Sequence, residues 1–171
     1  MNLEIFDQTV GPWLQCVVAD SPAVTQRFDA LARRSSPRTA VRLIHGEKCN
    51  TLPRLFDEFS TALQFPHYFG KNWAALDECL VDLTWFNADV YILLVMAAHQ
   101  LLPDDDEAFR TTIVVLSNAG EEWSRPSVGR PTQDAKPFHT VLQVPSEFAA
   151  AFQARLVRLG LVLPTTDLIT A

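Results

Sequence analysis

Cysteine is scarce in this chain, and the cysteines present do not pair. Cys16, Cys49 and Cys79 are odd in number and scattered, so neither a disulfide framework nor a paired zinc spacing can be read from them. Histidine is equally thin: His45, His67, His99 and His139 fall in no HxxxH or HExxH spacing, and none lies close to a cysteine pair, which argues against a metal centre. With six glycines there is no Gly-rich loop to cradle a phosphate. The longest apolar run, Val90 to Ala98, falls far short of the roughly 20 residues that span a bilayer. The start Met1-Asn2-Leu3-Glu4 lacks a basic leader segment. A soluble protein in a reducing, cytoplasmic setting is expected, with no cofactor, no metal and no membrane contact.

Positive charge is the other shortage, and it is unevenly placed. The net charge is -6, but residues 55–123 hold 12 acids against Lys71 and Arg110, giving -10, while the rest hold 8 acids against 12 bases, giving +4. An acidic middle repels phosphate backbones and attracts basic proteins, so a basic partner is expected and direct nucleic-acid binding is not. Arg27, Arg33, Arg34 and Arg38 lie outside this region; without interleaved aromatics they read as solvated surface. Asp104-Asp105-Asp106-Glu107 reads as the acidic start of a helix rather than a cation site.

What is present is a strand–helix alternation within 171 residues, enough for one domain. Strands are predicted at about 13–18, 41–44, 90–96 and 138–144, with a further short one in the tail from Leu161. Between them, Ser21-Pro22 is expected to cap a helix with Val24, Phe28 and Leu31 on its inner face. Thr51 should open a helix over 52–63 carrying Leu55, Phe56, Phe59 and Leu63. Acids at 104–107 start a helix carrying Phe109, Ile113, Leu116 and Trp123, whose last turn Gly120 puts in question. Residues 124–136 read as a loop. A final helix from Pro145-Ser146-Glu147 should show a stripe of Phe148, Ala151, Phe152, Leu156 and Leu159, ended by Gly160. The fold class is α/β, with a small, mainly parallel sheet flanked by helices.

The chemistry concentrates in Phe65-Pro66-His67-Tyr68-Phe69-Gly70-Lys71-Asn72-Trp73-Ala74-Ala75-Leu76-Asp77-Glu78-Cys79-Leu80. Asn72 is a plausible N-cap. At 100° per residue Leu76, Cys79, Leu80 and Leu83 fall on one side, and Ala74, Asp77, Glu78, Val81 and Asp82 on the other. An aromatic loop beside helical carboxylates suits docking onto a basic cleft. The same acids on a solvated face, with Tyr68 and Phe69 plugging the core, would be the plain structural alternative.

This string, with the strand, Gly46 and the Leu/Phe helix before it, resembles the barstar family of ribonuclease inhibitors. The family pattern is proline, two aromatics, glycine, any residue, asparagine, a large apolar residue and then an acidic-faced helix. The resemblance implies a three-stranded parallel sheet, with added elements at 1–40 and 145–171 around a core of about 41–144. The added N-terminal strand would make four. It also implies inhibition of a small basic ribonuclease: Tyr68 stacks at the catalytic site, Phe69, Asn72 and Trp73 bind the partner beside it, as do Ala74 and Asp77, and Glu78 takes the place of the substrate phosphate. Carboxylate and phosphate are both oxyanions that accept paired donors from Arg.

The chain departs from the pattern at three positions. An acid one turn before the key one is Ala74 here, the aromatic preceding the key acid is Asp77, and Glu78 is a methylene longer than the usual Asp. Asp77, three residues from Ala74 on the same face, can partly restore the missing charge. These differences point away from the family's best-known nuclease and toward another. A further family contact from the next helix falls among Asn118, Glu121 and Glu122. A regulatory or interaction module on the same fold is the alternative, and a Cys/His hydrolase built on Cys79 the remote one.

Overall fold

Parallel pairing organises the chain in a computed structural model that describes residues 3–34, 37–86, 88–125 and 135–167. Strands β1 (Leu14–Val18), β2 (Thr39–His45), β3 (Val90–Met96), β4 (Phe138–Val144) and β5 (Thr165–Asp167) form one sheet, all parallel, in the order β2-β3-β4-β1-β5. Helices α1 (Ser21–Ala32), α2 (Leu52–Leu63), α3 (Trp73–Asp82), α4 (Asp106–Trp123) and α5 (Ser146–Arg158) connect them. The α/β class is as the alternation predicts. The tail strand is real and sits on the far side of β1, which gives the sheet one strand more than the four expected from the family core and the N-terminal addition.

Strands β3 and β4 are buried at every position because helices cover both faces. On one face Val17, Ile92, Leu94 and Val141 meet Val24, Phe28 and Leu31 of α1, with Phe6 from a 3-10 turn at Leu3–Asp7. On the other, Leu93, Val95, Phe138 and Leu142 meet the apolar stripes of α2, α3, α4 and α5.

Several local expectations are corrected. Asp20, not Ser21, stands at the N-cap of α1, and neither it nor Thr51 of α2 makes a side-chain capping bond. Strand β2 runs two residues further toward Thr39, where the ladder opposite Val90 begins. Helix α4 continues through Gly120 to Trp123, because a Cβ at 120 would lie 2.3 Å from Cβ of Trp13: the glycine admits a neighbouring side chain rather than ending the helix. The stripe of α5 is narrower than its spacing suggests. Phe152 and Leu156 are buried and Leu159 half-buried, whereas Phe148 and Ala151 are exposed. Of the loop expected at 124–136, residues 126–134 lie outside the described residues.

Open α/β sheets commonly take ligands outside the carboxyl ends of strands where the chain reverses its winding, here between β1 and β4. Buried Gln143 fills that place: its Oε1 accepts from the Ala97 amide at 2.9 Å and its Nε2 donates to the Ala19 carbonyl at 2.7 Å. The turn that follows β1 holds Asp20 and then Pro22, an acid and a residue without an N–H where a phosphate would need donors.

Candidate functional site

Helix α2 ends at Gln64 in the left-handed region (φ 51), and the chain turns back along the helix it has just left. The Phe65 amide donates to Ser60 O at 3.0 Å and the Phe69 amide to Pro66 O at 2.9 Å, closing a tight turn with His67 and Tyr68 at its centre. Tyr68 stands at the apex, 67% exposed, with the His67 ring edge-on at 5.7 Å. Phe69 turns the other way. Its ring lies 4.8 Å from that of Phe65 and 6.2 Å from that of Phe56, while Trp73 meets Phe56 at 5.3 Å, so both half-buried rings pin the loop to α2. Two aromatics predicted to face a partner are therefore half-buried against Phe56 and Phe65 instead.

The step into α3 is held by polar contacts. Lys71 adopts φ 48, a conformation that costs a non-glycine residue about 1–2 kcal/mol, and its Nζ reaches Asp57 Oδ1 at 2.7 Å. Asn72 is the N-cap: its Oδ1 accepts from the Ala75 amide at 2.9 Å, and its Nδ2 donates to Gly70 O at 3.3 Å. Those bonds fix where α3 begins and hence how its outer face stands to Tyr68.

Along α3 the two faces separate as the helical wheel predicts except at the last turn, where Val81 and Asp82, expected outside, are half-buried and Val81 packs against the core. Leu76, Cys79, Leu80 and Leu83 are buried, and Ala74, Asp77 and Glu78 are exposed. Helix α4 braces the inner side through Trp123, whose indole Nε1 donates to Leu80 O at 2.9 Å. This contact brings the acidic end of α4 alongside α3. Partial burial pushes the Asp77 carboxyl above its ordinary pKa, and the Glu122 carboxylate pushes it further the same way. Of the three α4 candidates, Glu122 is thus the one coupled to α3. Arg125 makes a close ion pair with Glu121 and a longer one, 3.8 Å, with Glu122, and Asn118 is exposed on the same helix. Neither Asp77 nor Glu78 has a cationic partner among the described residues.

This arrangement is suited to binding rather than to bond-making. Burial raises the thiol pKa of Cys16 to about 11 and that of Cys49 to about 12, and it raises Cys79 as well, where the Glu78 and Asp82 carboxylates add to the effect. A nucleophilic cysteine needs the opposite shift and an accessible sulfur, and Cys79 is 4% exposed. Among the described residues no three His, Cys, Asp or Glu side chains gather as a metal would require, and no helix is long and apolar enough to cross a membrane.

One part of the site escaped the sequence. Beside the loop, a hollow of about 250 Å³ is lined by Leu52, Pro53, Phe56, Asp57 and Lys71. Its only sequence signal is Asp57 on the outer side of an otherwise inward-facing stripe, and the pairing of that residue with Lys71 needs the reversed loop.

A family model described as Barstar (barnase inhibitor) matches residues 39–143, which runs from the start of β2 to the penultimate residue of β4. No curated protein matches the chain. Among solved structures, the ORC2 protein of Aeropyrum pernix in ADPNP–ADP complexes superposes with a TM-score of 0.55 at 7% identity, over 90% of this chain and 41% of that one. At that identity the likeness is one of fold alone.

Proposed function

The chain belongs to the barstar family, and from that premise we propose that it is a protein inhibitor of a small basic ribonuclease, blocking the enzyme's active site with the Tyr68 loop and the outer face of α3. The observation that carries this reading is an exposed aromatic on a braced loop, set beside two helical carboxylates that have no cationic partner among the described residues. In the complex Tyr68 stacks in the catalytic cleft. Glu78 accepts the arginine or lysine donors that otherwise hold the scissile phosphate. Asp77 and Glu122 extend the negative field toward the position where Ala74 leaves a gap. Phe69, Asn72 and Trp73 act mainly by holding this face in place. Inhibition here is occlusion with phosphate mimicry and needs no cofactor. The three free, buried cysteines suit work in the cytoplasm, and pairing of the added strands into the same sheet supports reading the chain as one domain.

Ala74 favours a second reading, in which the same face holds a basic protein that is not a nuclease. Affinity capture from the source cell with the whole chain, followed by mass spectrometry and a ribonuclease assay of the captured protein, decides between them. A captured nuclease whose activity is restored by Tyr68→Ala with Glu78→Ala supports inhibition. Capture that is unchanged in the double variant shows that another surface is responsible.

A further inference from the structure

At the amino ends of β2 and β3, a cavity of about 280 Å³ is lined by Ala32, Arg34, Arg38, Thr39, Ala40, Arg42 and Ala88. Three guanidinium groups share it, each fixed in a different way. Arg34 reaches Asp7 Oδ2 at 2.6 Å. Arg38 places Nε and Nη2 each 3.4 Å from the Asp89 carboxylate, which also accepts from the Arg38 amide at 2.9 Å. Arg42 holds its guanidinium carbon over the Phe86 ring, 4.2 Å from the centroid, and donates from Nη1 to Val41 O at 3.1 Å.

The third arginine is the informative one. Its guanidinium is partly desolvated, and it has no carboxylate partner among the described residues. Most of its five donors are therefore uncommitted, in a fork held in orientation by the ring beneath it. Asp7 and Asp89 offset two of the three charges and leave the third, with Lys136 nearby adding another as its Nζ donates to Ala88 O at 2.7 Å. Loss of hydration at an unpaired guanidinium is costly unless an anion replaces the water.

We propose that this cavity is a binding site for a phosphate-bearing anion, held chiefly by Arg42 with Arg38 and Arg34 flanking it. Phosphate suits the site better than carboxylate: a tetrahedral oxyanion can accept from the open donors of Arg42 and still turn further oxygens toward the Arg38 and Arg34 guanidiniums that Asp89 and Asp7 hold beside it. The cavity has room for part of whatever group the phosphate is attached to. This site is independent of the inhibitory face, shares no residue with it, and stands or falls separately from it.

The test is NMR titration of the ¹⁵N-labelled full chain with inorganic phosphate and with ADP, at constant ionic strength set by chloride. Saturable shifts of the Ala40 and Ala88 amides are expected, weakened at least about tenfold by Arg42→Gln, a loss in keeping with removal of charge-assisted hydrogen bonds. Arg42→Gln leaves both ion pairs intact, so its fold can be checked by its own spectrum, and Arg38→Ala serves as the second variant. Shifts that never saturate, or that persist unchanged in Arg42→Gln, overturn the proposal. A 5′-phosphorylated oligoribonucleotide and its 5′-hydroxyl twin identify the source: preference for the former marks a terminal phosphate, and equal binding marks a nucleic-acid backbone.

Discussion

Glu78 and Ala74 lie one turn apart on the same exposed face of α3, and the proposed inhibition makes them the residues that select the partner. Truncating one member of a desolvated charge pair at an interface costs about 2–5 kcal/mol. Glu78→Ala should accordingly weaken the captured partner by at least about 30-fold in calorimetry, mainly through faster dissociation. Ala74→Asp adds a carboxylate beside Asp77 and Glu78. It should weaken the native partner modestly if like-charge crowding dominates, and it should strengthen affinity for nucleases that the usual family members inhibit; unchanged affinity for both would remove Ala74 as a determinant. The identity and exposure of these residues were legible from the wheel and the family pattern. The inward turn of Phe69 and Trp73 was not, because a loop's direction depends on the left-handed residues Gln64 and Lys71, which carry no compositional mark. The link from Glu122 to Asp77 was likewise hidden, since it depends on Trp123 docking beneath α3.

Helix α3 has only ten residues, so its start matters out of proportion to its length. Replacing the capping Asn72 by Ala should cost about 0.5–2 kcal/mol of stability, read as a fall in the denaturant midpoint. Because the cap also sets the angle between Tyr68 and Glu78, partner affinity should fall as well, even at temperatures where the variant is fully folded. A variant that loses stability but binds normally would show that the cap does not position the face. Most elements could be read from periodicity, including β3 and β4 and the inner faces of α2 and α4. The reading failed where tertiary contacts decide: in α5, whose outer Phe148 stacks on His99 at 4.1 Å instead of entering the core, and at Gly120, which serves Trp13 from the far end of the chain.

On the scale of the whole molecule two bulk properties follow. Association with a basic partner is steered by the acidic middle, so its on-rate should drop steeply as salt rises from low to physiological while the dissociation rate changes little. Stability should fall on mild acidification. Burial lowers the pKa of His139, outweighing the opposing pull of the Gln8 and Pro12 carbonyls and of Asp7, and burial lowers His99 in the same direction. Below the ordinary value of about 6.5 the unfolded chain then binds protons that the folded one refuses, so stability present above that pH is lost as pH falls toward the depressed values. Thermal melts between pH 7.5 and pH 5 should show this slope, and His139→Gln should flatten it; a melting temperature that rises on acidification would contradict the assignment.

The interior position of β1 has a consequence for how the protein is made. Its ladder partners are Thr140 to Val144 on one side and Thr165 to Asp167 on the other, so this early strand waits for segments synthesised more than a hundred residues later. Contacts this distant in sequence close slowly. On the ribosome the nascent chain can present the Tyr68 loop and α3 long before the sheet is complete, yet Trp123 and α4, which brace them, must also have emerged. The Tyr68 loop and α3 therefore gain their bracing from α4 before β1 finds its partners in β4 and β5.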